Sequence, residues 1–159
     1  MPTTQPSLAD HVCLAIIGEG RTHGWALVKL LAPDGELGRI WSLSRALTYR
    51  SVDHLVELGL ATRDAAERRA ELAITPAGRR RRRAWLGAPV DHLRDLRTEF
   101  LVKVALRERS GLDVDELFEV QLERLRPAIE ALTASDEPDH VGRWRRESAL
   151  AALRFLERS

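Results

Sequence analysis

The stretch from Ser44 to Gly59, within LSRALTYRSVDHLVELGLATRD, has a helix start at one end and a helix stop at the other. Serine is a favoured N-cap because its hydroxyl accepts a hydrogen bond from a free backbone amide, and glycine adopts the left-handed conformation that often ends a helix. Between them, Val52, Leu55 and Val56 have the spacing of a helix face that packs on a core. The opposite face is polar and carries Arg45, Thr48, Arg50, Asp53 and His54. The sequence therefore predicts an amphipathic helix with defined ends, and neighbouring segments must pack around it.

Two shorter helices are predicted before this one. Ser7 with Asp10 can form a capping box for a first helix that ends at Gly18. Thr22 can cap a second helix in HGWALVKLLAP, which Pro33 stops because proline lacks a backbone N–H. A short helix, a turn and a third helix with an accessible N-terminal end follow the order of a helix-turn-helix, whose last helix enters the DNA major groove. We call the third helix the reader helix.

The segments after the reader helix predict two strands and more helices. LATRDA and AELAIT are interpreted as two short strands, and Thr75 with Pro76 predicts the start of a fourth helix. Residues 91–159 contain three amphipathic segments in succession, and Asp113 with Glu116 predicts a capping box for the second of them. These helices are long relative to the rest of the chain, which is too small to cover all of their apolar faces. We therefore expect some of these faces to pack against a second chain.

Charge is divided unevenly along the chain, although its net charge is only +1. Residues 1–90 contain 13 Lys and Arg against 9 Asp and Glu, whereas residues 91–159 contain 12 against 15. The positive charge thus belongs to the predicted helix-turn-helix half, although so mild an asymmetry does not by itself establish a nucleic-acid partner. No apolar run approaches the roughly 18 residues of a membrane span, and the N-terminus lacks a signal-peptide pattern. We therefore expect a cytoplasmic protein.

Four motifs, in this order, resemble the PadR family of bacterial transcriptional regulators. They are HGWALVKLL, WSLSRALTYRSVDHLVELGL, ITPAGRRRRRAWL and PVDHLRDLRTEFLVKVAL, and the resemblance covers nearly the whole chain. It implies a mainly α fold with a small β-hairpin wing: a winged helix-turn-helix DNA-binding domain at residues 1–88 and a C-terminal helical dimerisation arm at residues 89–159. The implied function is that of a homodimeric repressor, associated with nucleoid DNA, which binds an inverted-repeat operator and is released by a small aromatic ligand. Thr48 departs from the family, which more often has an apolar residue there.

Eight residues are candidates for contact with double-stranded DNA. Arginine can pair bidentately with guanine, hydroxyls reach phosphate or base edges, and the positive end of a helix dipole favours phosphate. Five candidates open the reader helix and three flank the wing; they are Ser44, Arg45, Thr48, Tyr49, Arg50, Arg63, Arg68 and Arg69. The alternative for Ser44 is helix capping alone, for Tyr49 half-packing on the core, and for the arginines an ordinary solvated face.

Other conspicuous residues receive different interpretations. The run Arg79–Arg83 cannot form one binding face, because successive helical residues turn about 100° and five of them surround the helix. Trp25 is interpreted as a core residue. The aromatic residues Trp85, Phe100, Trp144 and Phe155 are interpreted as packing in the core or the dimer seam. The alternative is that such residues, Trp85 and Phe100 in particular, line a pocket for a small aromatic effector.

The sequence offers no catalytic or metal-binding pattern. The histidines lack metal-ligand spacing, and neither a nucleophile elbow nor a phosphate-binding glycine loop is present. We therefore expect no metal, no cofactor and no enzymatic activity. Two alternatives to a DNA-binding regulator stay open: a winged-helix protein-interaction module that uses the reader helix on a protein partner, and an enzyme whose catalytic residues are not recognisable.

Overall fold

The computed structural model describes residues 5–66 and 69–157, and within them it has seven α-helices and one three-stranded antiparallel sheet. The helices are α1 (Leu8–Ile17), α2 (Gly24–Leu31), α3 (Arg45–Glu57), α4 (Pro76–Gly87), α5 (Glu99–Arg109), α6 (Asp115–Ala134) and α7 (His140–Leu156). The strands are β1 (Thr22–His23), β2 (Ala61–Asp64) and β3 (Glu71–Ile74), with β3 between the other two. The predicted fold class, mainly α with a small wing after a helix-turn-helix, is confirmed, and α3 is the reader helix.

The helix starts expected from capping residues are present in three places. Ser7 and Asp10 form the predicted capping box at α1. Ser44 and Thr75 each accept a hydrogen bond from the backbone amide three residues further on, at 3.3 and 3.0 Å. Gly59, just beyond α3, has a φ of 68°, the left-handed conformation that ends a helix. Local chemistry thus determines where these helices begin and where α3 ends.

The wing contains a strand that the sequence did not predict. The two expected strands are confirmed as β2 and β3, and β1 pairs with the other edge of β3. Thr22 was expected to cap α2, but it lies in β1 and pairs with Leu72 of β3. Helix α2 begins after His23 without a side-chain cap. The prediction for Thr22 is wrong because a two-residue strand has no periodicity of its own and depends on pairing with a strand about 50 residues away.

The start of the arm differs from the prediction in two places. A 3-10 helix at Leu93–Arg97 precedes α5, and Thr98 between them has φ −123° and ψ −88°, so the first expected arm helix is divided. The capping box expected at Asp113 and Glu116 is absent. The Asp113 carboxylate instead accepts a hydrogen bond from the amide two residues on, and Glu116 lies 3.2 Å from Arg107 of α5. Pairing of Glu116 with the preceding helix takes the place of a local cap.

Two clusters of buried apolar side chains hold these elements together. The first cluster joins α1 to α2, α3, α4 and the sheet, and α1 lies at its centre because residues 12–17 are all buried. The second cluster joins the arm helices α5, α6 and α7. Helix α5 belongs to both, with Val102 and Leu106 in the first cluster and Phe100 in the second. The domain boundary after residue 88 stays a prediction.

A partly buried hydrogen bond connects α1 to the reader helix. His54 Nδ1 lies 2.9 Å from Asp10 Oδ2, and Asp10 is 4% exposed. Burial raises the pKa of Asp10, but hydrogen bonds from Ser7, His54 and Ser51 outweigh it, so the pKa lies below its ordinary value. His54 therefore faces α1, and its assignment to the polar face of the helix is wrong.

Replacing Asp10 with asparagine is expected to destabilise the protein near neutral pH and to have less effect in acid. A carboxyl whose pKa is depressed by folding stabilises the fold above its unfolded-state pKa, about 3.9, and this contribution is lost as pH falls through the lower folded-state value. Urea unfolding of both proteins from about pH 7 to about pH 3 measures the difference in the free energy of unfolding. A difference in the free energy of unfolding that grows as the pH falls would contradict the lowered pKa of Asp10.

Candidate nucleic-acid interface

One face of α3 packs against the first apolar cluster, and the other face is exposed. Val52 and Leu55 are buried, as the stripe predicted, whereas Arg45 and Arg50 are exposed near the N-terminal end of the helix. Ser44 is exposed as well, and its hydroxyl caps the helix. The structure thus brings together, on one accessible helix end, the polar residues that the sequence singled out there, with one exception.

The exception is Thr48, which lies on the buried face of α3. Its side chain is fully buried, and its Oγ1 donates a hydrogen bond to the carbonyl of Ser44 at 3.0 Å. The hydroxyl is satisfied within the helix and cannot reach DNA, so the prediction that Thr48 contacts DNA is wrong.

Arg45, Trp25 and Tyr49 form an aromatic-arginine cluster where the N-terminal ends of α2 and α3 meet. The Arg45 Cζ lies 5.6 Å from the centre of the Trp25 ring and 5.8 Å from that of Tyr49, both within the range of cation–π attraction. Trp25 is 44% exposed, so its interpretation as a core residue is wrong. The cluster borders a groove of about 600 Å³ whose other lining residues are His23, Gly24, Arg69 and Ala70.

Gly24 allows the Tyr49 ring to lie directly on the start of α2. A Cβ at position 24 would stand 2.5 Å from Tyr49 Cε1, closer than side-chain carbons approach one another. Tyr49 is half-buried as a result, with its ring held against the backbone of α2. The position of this aromatic ring is therefore set by the packing of two helices and not by α3 alone.

The wing arginines are placed differently from one another. Arg63 of β2 lies 2.6 Å from Asp53 of α3, an ion pair that ties the wing to the reader helix. Arg69 is exposed and borders the groove beside the aromatic-arginine cluster. Arg68 lies outside the described residues. Contact between these arginines and DNA stays a prediction.

The five-arginine run of α4 contributes to packing. Arg82 donates through Nε to the carbonyl of Ala15 at 3.0 Å and through Nη2 to Ser110 Oγ at 2.6 Å. Arg79 donates to the carbonyl of Ile74 at 3.2 Å. The run therefore surrounds its helix, as its spacing predicted, and two of its members connect α4 to neighbouring segments.

A second cavity, of about 760 Å³, lies in the arm between the 3-10 helix and α7. Most of its wall is apolar and includes Trp144 and Phe155, and the side chains of three arginines also line it. Those arginines are Arg94, Arg97 and Arg145. Such a cavity has the apolar wall and the few polar groups that suit a small organic ligand or the side chains of a partner.

Trp85 and Phe100 do not line this cavity. Trp85 is stacked on His11 at 5.3 Å between ring centres, and its Nε1 donates to Glu99 Oε1 at 3.1 Å. Phe100 is fully buried and meets Phe118 edge to face at 5.1 Å. Both are packing residues, so the prediction that they line a ligand pocket is wrong. The exposed aromatic residues on the apolar face of the last helix were the better signal.

Among residues 5–66 and 69–157, no group of three or more His, Cys, Asp and Glu side chains is placed to hold a metal ion. Within those ranges, no helix combines the length and the apolar character needed to cross a membrane.

The described elements define a winged helix-turn-helix protein with a helical arm. The sequence matches no protein-family model, and no curated protein matches it either. Three solved structures of similar fold are of Bacillus subtilis PadR. The structure bound to operator DNA has a TM-score of 0.47 and 19% identity, covering 93% of this chain and 95% of that one. The structure of PadR alone has a TM-score of 0.47 and 20% identity, covering 94% of this chain and 91% of that one. The complex with p-coumaric acid has a TM-score of 0.49 and 18% identity, covering 95% of each chain. The likeness concerns the fold.

Proposed function

We propose that this protein is a PadR-like transcription regulator that binds double-stranded DNA through α3. The observation that carries the proposal is the exposed N-terminal end of α3, where Arg45, Tyr49 and Arg50 stand on a helix seated by its opposite face. An α-helix presented in this way fits the major groove, and the planar fork of arginine matches the edge of guanine. Arg69 lies exposed on the adjoining wing, where it would add positive charge toward the phosphate backbone. Arg63 would approach the backbone from β2 with part of its charge offset by Asp53.

The arm supports action as a homodimer. Val141, Trp144 and Phe155 lie on one face of α7 and are 54%, 74% and 43% exposed. A second copy of the chain would remove this apolar face from water, and the two reader helices would then enter major grooves about 34–36 Å apart, as an inverted-repeat operator requires.

A repressor in the cytoplasm, bound to its operator on the nucleoid, would be released when a small aromatic molecule enters the arm cavity. The apolar walls would hold the ring of such a molecule, and Arg97 with its two neighbouring arginines would hold an anionic group.

Titration of fluorescent DNA from the promoter region of the protein's own gene tests the proposal. We expect tighter binding to this DNA than to random DNA of equal length at physiological salt, with two chains bound per site. The logarithm of the affinity is expected to fall linearly with the logarithm of the salt concentration, because phosphate contacts release counterions. Equal affinity for both DNAs would refute specific regulation and favour the protein-interaction module.

A further inference from the structure

Arg45 is held by a different kind of contact from Arg63 and Arg21, two other arginines around the wing. Arg63 pairs with Asp53 at 2.6 Å, and Arg21 of the turn before β1 pairs with Glu71 at 2.7 Å. In the part of the chain that the structure describes, Arg45 has no ion pair. Its guanidinium instead lies within 6 Å of the centres of two aromatic rings.

Aromatic rings and carboxylates differ in how many N–H donors of a guanidinium they leave available to another partner. A carboxylate occupies the N–H donors with which arginine would bind a base. A ring face attracts the cation through its π electrons and leaves the donors at the edge of the planar group available. Contact with rings thus restricts where the Arg45 guanidinium lies without using the hydrogen bonds that recognition needs.

The two rings are themselves anchored on different helices. Tyr49 belongs to α3 and rests on the backbone of Gly24, as the short distance to a Cβ at that position shows. Trp25 belongs to α2 and exposes 44% of its surface, so its ring adds little to the core at this point. The cluster therefore joins the two helices of the helix-turn-helix beside the exposed end of the reader.

We propose that Trp25 is a positioning residue for base recognition: together with Tyr49 it holds the Arg45 guanidinium in the orientation that pairs bidentately with a guanine in the major groove. This inference rests on the proposed function and adds to it a source of sequence selectivity outside the reader helix. It requires that Trp25 governs discrimination between DNA sequences and has little effect on affinity for DNA in general.

Binding of promoter and random DNA by four variants tests the inference. Trp25→Ala is expected to lower the ratio of the two affinities about two- to fivefold, the factor that an exposed cation–π contact represents, with an unchanged salt dependence. Trp25→Phe keeps a ring and restores most of the ratio. Arg45→Lys keeps the charge but loses the planar fork, and it is expected to lower the ratio at least as much. Leu112→Ala, at a residue 42% exposed in the turn before α6, serves as the matched control and leaves the ratio unchanged.

A measurement on the free protein separates this inference from the proposed function. In a ¹H–¹⁵N spectrum, the Arg45 Nε–Hε signal, assigned by its loss in Arg45→Lys, is expected to be displaced by ring currents and to move toward its ordinary position in Trp25→Ala. An undisplaced signal overturns the inference. Wild-type protein that does not discriminate between the DNAs overturns both proposals, whereas unchanged discrimination in Trp25→Ala, or equal loss of affinity for both DNAs, overturns this inference alone.

Discussion

Replacement of both Arg45 and Arg50 with alanine is expected to remove selective binding of promoter DNA and to leave the fold intact. Both side chains are exposed near the start of α3. A bidentate arginine–guanine pair contributes about 1–3 kcal/mol of discrimination against the wrong base, so two such pairs contribute about 2–6 kcal/mol. The measurement is a DNA-binding titration at constant salt, with circular dichroism to verify that the helical content is unchanged.

The matched control is the double replacement of Arg80 and Arg81 with alanine. It removes the same charge from α4, where both side chains are exposed but point to different sides of the helix. We expect this variant to retain nearly all of the selectivity. A comparable loss in the control would mean that charge alone governs binding. Selective binding that survives the α3 replacements, accompanied by loss of a protein partner in a pulldown, would instead identify the winged helix as a protein-interaction module.

Replacement of Phe100 with alanine is expected to lower the free energy of unfolding by about 3–5 kcal/mol. Phe100 is fully buried and meets the rings of Phe118 and Phe155 at 5.1 and 6.3 Å, both nearly edge to face. Alanine would leave a cavity where α5, α6 and α7 meet and would remove aromatic contacts that add to the energy of burial. Urea-induced unfolding followed by circular dichroism measures the loss.

Phe155→Ala is the comparison for this variant. Phe155 contacts the same aromatic group but is 43% exposed, so its replacement removes less buried surface and leaves an open depression in place of a closed cavity. We expect less than about half the cost of Phe100→Ala. Equal costs, or a cost for Phe100→Ala below about 1.5 kcal/mol, would show that the second cluster can rearrange around the missing ring.

Features that depend on adjacent residues could be predicted from the sequence. The cap at Ser44, the stop at Gly59 and the proline-led start of α4 after Thr75 each arise from hydrogen bonds or backbone preferences within about four residues. The two longer wing strands also follow from their local patterns, even without a glycine or proline between them. Strand β1 does not, because it exists only through its partner β3.

Two of the wrong predictions at the candidate interface came from residue type and could have been avoided by spacing. Thr48 stands four residues before Val52 and therefore shares the buried stripe of α3, although its hydroxyl suggests a surface residue. Trp25 lies off the buried face formed by Leu27 and Leu31, although its ring suggests a core residue. What no spacing reveals is the meeting of Trp25 with Arg45 across two helices, since that contact depends on how α2 and α3 pack.

Helix α5 contributes side chains to both buried apolar clusters, and its C-terminal end is held by ion pairs as well. Arg109, in its last turn, lies 2.7 Å from Glu19 and 2.6 Å from Glu36, in the turns that follow α1 and α2. Within residues 5–66 and 69–157, α5 is therefore tied to the N-terminal helices by buried contacts at its centre and by ion pairs at its end. Helix α1, on which α5 packs, is joined in turn to α3 by the Asp10–His54 hydrogen bond. A continuous series of packed and hydrogen-bonded elements thus runs from the arm through α5 and α1 to the reader helix.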